Sequence, residues 1–160
     1  MPRLAKDTHE DEGRAVTVTE SELLGLAHEV REVFGSGSAI ILHYAGFGIG
    51  REMAGNVKKP TDKREEVYAE FQDLLKSRGW GTASIETSSG NPESGRVSFS
   101  NLLLPQDEPL HETMEMILKG IFSGFMAKAF KTDRVLLEKE KCVAKGDAIC
   151  AFSFKVEVSE

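Results

Sequence analysis

The sequence predicts an α+β domain, and three observations carry that expectation. Two segments, about 20–34 and 61–78, repeat apolar residues at helical spacing between cap and stop signals. A third, about 108–130, is apolar around more than half its circumference, as a largely buried helix is. Between and after these lie strand-like stretches, the last of them a C-terminal hairpin that holds both cysteines.

In chain order, Met1 to Arg14 are polar and mostly acidic, which predicts a mobile tail ahead of one domain over 15–160. Thr19 and Glu22 form a capping box for the first helix. Leu23, Ala27, Val30 and Phe34 make its apolar stripe, and Gly35-Ser36-Gly37 ends it. The short apolar run Ala39-Ile40-Ile41-Leu42 predicts a buried strand over 38–44. It leads into Gly46, Gly48 and Gly50, whose G-x-G-x-G spacing is neither the dinucleotide fingerprint nor a phosphate loop. Such spacing fits the close packing of a helix start on a sheet, or room for a ligand beside the backbone.

Thr61 is the expected cap of the second helix, with Val67, Phe71, Leu74 and Leu75 inward and Gly79 as its stop. Strands are expected over 82–87 and 96–104, separated by the loop Ser88-Ser89-Gly90-Asn91-Pro92. The long helix has Pro109 in its first turn. Gly120, Gly124 and Ala127 form a small-residue strip along one side of it. Either another backbone or a ligand approaches there, and plain packing is the favoured reading.

The hairpin turns at Lys145-Gly146-Asp147, where Gly146 supplies a positive φ. Cys150, Phe152, Phe154, Val156 and Val158 share one parity and point inward. A three-residue loop would set Cys142 opposite Cys150, with Cβ atoms roughly 4.5–5.5 Å apart. Two thiols that close clip a soft metal, form a disulfide or simply pack. Glu140 shares the parity of Cys142 and Glu115 lies on the long helix, so each is a candidate oxygen donor. The four histidines, His9, His28, His43 and His111, do not recur at metal-ligand spacing and read as ordinary surface or satisfied residues. No G-x-S-x-G, H-E-x-x-H or C-x-x-C motif occurs.

Composition narrows the function classes. The 160 residues are 40% hydrophobic and 29% charged, as in ordinary globular domains. A net charge of −6 with no basic stripe leaves nucleic-acid binding without electrostatic support. The apolar runs read as too short for a membrane span, and no signal-peptide core is seen. The expected location is the cytoplasm, where thiols stay reduced and a disulfide is disfavoured.

One pattern is more specific. Gly120-Ile121-Phe122-Ser123-Gly124-Phe125, a short spacer, and then Cys142-Val143-Ala144-Lys145-Gly146-Asp147-Ala148-Ile149-Cys150-Ala151-Phe152 resembles the C-terminal half of the vinyl-reductase-type (4-vinyl reductase) domain. That family's signature is G-hydrophobic-x-x-G, a strand, then C-x-x-x-G-(D/H)-x-x-C-x-F. The stretch Ala39 to Arg51 is similar to its N-terminal strand and Gly-containing helix start, and the match covers about 38–157. Related domains are the sensor halves of activators that respond to phenols. The resemblance implies an antiparallel sheet flanked by helices, a fold shared with trafficking-complex subunits and haem nitric-oxide sensors, often dimeric and with an apolar pocket. It also implies zinc at the two hairpin cysteines, with a third cysteine and a carboxylate. Here Glu115 stands at the third-cysteine position, and Lys139 stands at the acidic position, between Glu138 and Glu140. No DNA-binding or ATPase segment is attached, so the chain is not expected to be such an activator itself.

The resulting expectation is a small-molecule-binding, sensor-type domain with a pocket for a hydrophobic or aromatic ligand. The pocket is expected between the long helix, the Gly-containing helix start and the sheet, lined by Phe47, Met114, Ile121 and Phe125. A zinc ion on Cys142 and Cys150, with Glu115 or Glu140, and a homodimer are expected with it. The rivals are an enzyme or accessory protein of tetrapyrrole vinyl-group reduction, and a structural dimerisation module. Against the enzyme, no nucleotide motif or general acid is identifiable.

Overall fold

The computed structural model describes residues 14–57, 63–100 and 108–158, the side chains of 108–110 excepted. The tail up to residue 13, the expected cap Thr61 and the end of the second expected strand lie outside them. Helices α1 (Glu20–Phe34) and α2 (Ser38–Gly55) are joined by a single 3-10 turn, Gly35–Gly37. Helix α3 (Arg64–Ser77), strands β1 (Thr82–Ser88) and β2 (Asn91–Ser100), helix α4 (Glu108–Phe130) and strands β3 (Arg134–Lys141) and β4 (Cys150–Glu157) follow. The sheet is antiparallel throughout, in the order β1-β2-β4-β3. The α+β expectation holds. The capping box forms as expected: the Glu22 N–H donates to Thr19 Oγ1 and the Thr19 N–H donates to a Glu22 carboxylate oxygen.

Helix α4 is the centre of the fold. One side faces the sheet, where Phe122 meets Phe154 with ring centroids 5.3 Å apart. Phe71 of α3 stands edge-on to Phe122 and Phe125 at 5.4 and 5.3 Å. These rings, with Val97, Phe99, Phe152 and Val156 from the sheet, form the core.

The strand expected over 38–44 is a correction: those residues are the first turns of α2. The cause is tertiary. Gly46 and Gly50 of α2, one turn apart, face Gly120 and Gly124 of α4, also one turn apart. A Cβ on Gly46 would lie 2.1 Å from the Ile117 carbonyl oxygen, and one on Gly124 would lie 2.0 Å from that of Phe47. The two backbones touch, so four glycines replace the side-chain layer that normally separates packed helices. The small-residue strip on α4 is therefore filled by a backbone. Of the G-x-G-x-G glycines, Gly48 points away and meets nothing.

Against the expectation that the apolar runs are too short for a membrane span, one stretch passes on length and composition alone. Glu20–Gly55 forms a 36-residue helical stretch with a window of mean hydropathy 1.3, a test that core helices of soluble proteins pass as well.

Candidate metal centre

His111 and Glu115 sit four residues apart in the first turns of α4, and that spacing puts both on one helix face. The hairpin brings the two cysteines to the same place. Its connection is longer than a three-residue loop. It runs from Cys142 to Ile149 and contains a 3-10 turn, Val143–Lys145, closed by Gly146 at φ +96°. The Asp147 carboxylate accepts from the Cys142 N–H at 2.9 Å and so pins the turn.

A bulge decides which β3 side chains reach this end. Lys139 pairs with Phe152 and Lys141 with Ala151, so Glu140 is the extra residue. Inward parity on β3 runs through Val135, Leu137 and Lys139 and then shifts by one to Cys142. Glu140 consequently loses the parity the sequence lent it. Its carboxylate pairs with Arg96 at 2.7 Å on the surface, and the structure does not bring it to the cysteines.

Four buried donors converge: His111, Glu115, Cys142 and Cys150, all 3% exposed or less, with ligand atoms within 4.8 Å of one another. His111 Nε2 lies 3.0 Å from Glu115 Oε2 and 3.4 Å from Cys150 Sγ. Cys142 Sγ lies 3.8 Å from Glu115 Oε2. Tetrahedral bonds of zinc length place donors roughly 3.3–3.8 Å apart, so this set needs little adjustment to close on one ion. The mix of two sulfurs, one imidazole and one carboxylate suits zinc or a similar borderline cation. Spacing among the four histidines alone does not single out His111. The available signal was His111-x-x-x-Glu115 on a helix that also faces the cysteines.

Two neighbours tune the donors. The Val143 N–H points at Cys150 Sγ at 3.5 Å, the backbone support that a bound thiolate uses. Lys139 Nζ holds the second Glu115 oxygen at 3.1 Å. Burial works against the Lys139 charge, but Glu115 and Cys142 more than offset it and hold its pKa above the usual lysine value. Burial pushes the Cys150 thiol up to about 11; the Val143 N–H opposes the shift, and Glu115 and Cys142 add to it. Without a cation this thiol stays protonated near neutral pH, and metal binding must displace that proton.

Among the described residues, cavities border the core at both ends of α4. A polar groove of about 980 Å³ runs between α1 and the first half of α4, with Glu115 and Lys139 in its wall. A smaller, mainly apolar cleft of about 250 Å³ lies between the end of α2, α3 and the end of α4. Of the four expected ligand residues, Phe125 lines that cleft, beside Val57, Val67 and Ala129. Met114 and Ile121 are buried in the core, and Phe47 abuts Gly124 through its backbone; these three line neither cavity.

No protein-family profile and no curated protein matches the sequence. Solved structures do match its fold. The phenol-responsive sensory domain of the transcription activator PoxR, solved with phenol, aligns at a TM-score of 0.68 and 16% identity, over 90% of this chain and 77% of its own. The fold is shared with the phenol sensor. A vinyl-4-reductase family protein from Methanocaldococcus jannaschii aligns at 0.51 and 18% identity, over 89% and 98% of the two chains. Trafficking protein particle complex subunit 3 from Naegleria fowleri, covalently bound to palmitic acid, aligns at 0.61 and 15% identity, over 85% and 92%. The resemblance read from the hairpin is borne out as a likeness of fold.

Proposed function

We propose that the chain is a small-molecule-binding domain of the sensor type, built around a zinc ion held by His111, Glu115, Cys142 and Cys150. The observation that supports this is the convergence of four donors from two distant segments in an otherwise apolar core. Burying a carboxylate, an imidazole and two thiols side by side is costly, and a cation offsets that cost. In this reading the ion ties α4 to the hairpin and holds one end of the domain rigid. The apolar ligand occupies the cleft at the opposite end of α4, against Phe125. An apolar cavity of about 150 Å³ already takes benzene, so the cleft has room for a single-ring aromatic. Phe47, Met114 and Ile121 then serve helix packing.

Metal analysis with native mass spectrometry, before and after adding phenol, tests this reading. The expected result is one zinc per chain and a saturable phenol adduct that Ala129→Phe removes. A protein that takes up neither zinc nor phenol overturns it.

A homodimer is a second reading, supported by a different observation. Val33 and Phe34 at the end of α1 and Ile40 and Tyr44 at the start of α2 are 56–70% exposed, and large exposed apolar side chains are what an interface covers. A second copy packed on these residues would cover them. Sedimentation showing only a 17.6 kDa species at micromolar concentration overturns the dimer. A detergent requirement would instead assign these residues to a membrane. We also propose one domain over 15–160 and a cytoplasmic location, where both thiols stay free to bind a cation.

A further inference from the structure

We propose that the polar groove between α1 and α4 is a second binding site, for a small molecule with an anionic donor group, and that this group competes with Glu115 at the metal centre. The inference rests on the metal reading above and extends it.

The metal centre is not enclosed alike on all sides. Of its four donors, Glu115 alone is part of the groove wall; His111, Cys142 and Cys150 are not. The Glu115 carboxylate is also divided. Oε2 faces His111 and Cys142, while Oε1 is held by Lys139, itself a groove residue with part of its side chain open to solvent. Glu115 is thus the shared boundary between the buried donors and the groove.

The groove's cations and carboxylates balance, with Glu115 counted among the carboxylates, so an anionic group is favoured here only as a like-for-like replacement of the Glu115 oxygen on the ion. Arg31, Lys119 and Lys139 line it, with His28, while Glu32 and Glu112 stand among them. Among the four donors a single carboxylate oxygen is the hardest, and on a borderline cation it exchanges more readily than the thiolates. On withdrawal Glu115 Oε2 gives up the ion and its place beside His111 and Cys142 and turns to water in the groove. The residue keeps its ion pair to Lys139 through Oε1, and the incoming anionic atom occupies the position of Oε2. One bond to the ion is exchanged for another, with no change of oxidation state. A carboxylate, thiolate or phenolate has this chemistry. The volume of about 980 Å³ accommodates a molecule much larger than its donor group.

Cobalt(II) in place of zinc supplies the readout, and azide is the probe. Uptake of cobalt with a thiolate-to-cobalt absorption band, lost in Cys150→Ser, tests the metal centre by itself; its absence would end both readings. With cobalt bound, azide is expected to alter the d–d bands saturably. Ala39→Trp, which fills the groove, is expected to weaken the azide response by about tenfold or more while leaving cobalt uptake intact. Ser36→Trp, at an exposed groove position, is the substitute if that variant does not fold. Lys139→Met is expected to weaken the azide response as well. Cobalt bands that azide leaves unchanged, or changes equally with the groove filled, overturn this inference and leave the metal reading standing.

Discussion

The two halves of α4 solve opposite packing problems. Its first turns place His111 and Glu115 against the hairpin thiols, with polar atoms 3.0–3.8 Å apart. One turn further on, Gly120 and Gly124 press against the α2 backbone with no room for a methyl group. The first half depends on which atoms are present, the second on which are missing. A substitution in either half should fail in a way that reveals which problem it disturbed.

The largest effect is expected in the glycine half. Gly124→Leu forces a side chain into the Phe47 carbonyl, where even a Cβ would sit 2.0 Å away. Overpacking of this kind costs about 1–3 kcal/mol in a yielding core and more against backbone. Chemical denaturation should show that loss, or outright failure to fold, to the same extent with and without a chelator. Equal stability to the parent would mean that α2 and α4 do not touch.

Next come the donors. His111→Ala and Cys142→Ser should each weaken zinc binding by at least about tenfold. They should lower Tm mainly when zinc is present, since metal binding adds to folding free energy. An equal fall in chelator would show that these side chains merely pack.

A smaller effect is expected from pH in the metal-free protein. The Cys150 pKa is raised from 9.0 to about 11 by burial, so the folded state favours the neutral thiol. Its contribution to stability is complete below about pH 9 and is lost as pH rises towards 11. Urea midpoints measured in chelator between pH 8 and 11 should fall with a slope that Cys150→Ala flattens. A slope unchanged in that variant would assign the alkaline loss to other groups.

The smallest effect separates sequence parity from structure. Glu140→Gln should leave zinc affinity unchanged and alter stability by less than about 1 kcal/mol, because its partner is the partly exposed Arg96. A clear loss of zinc would restore Glu140 as a donor and remove the bulge from the account.

Much of this molecule was legible locally. The Thr19–Glu22 box, the stop at Gly79, the apolar circumference of α4 and the inward parity of β4 from Cys150 to Val156 depend on neighbours within a few residues, and each forms as its residues dictate, whereas Val158, past the strand's end, is exposed. The meeting of the Cys142 and Cys150 thiols across a turn closed by Gly146 belongs to the same class, although the connection is longer than a three-residue loop. Three features were not local. The run Ala39–Leu42 is β-branched and apolar enough for a strand, but glycine matching with α4 made it helix, since close backbone contact outweighs weak propensity. The bulge at Glu140 shifted strand parity by one and exchanged a carboxylate for Lys139 beside the site. His111-x-x-x-Glu115 marks one helix face, but that face joins the cysteines only where α4 lies across the hairpin, because a ligand set is a property of distances between segments rather than of spacing within one. The sequence alone determined the inward faces of α4 and β4 and that the two thiols meet. Only the tertiary structure decided which other donors meet them, because packing, not periodicity, sets the distance between α4 and the hairpin.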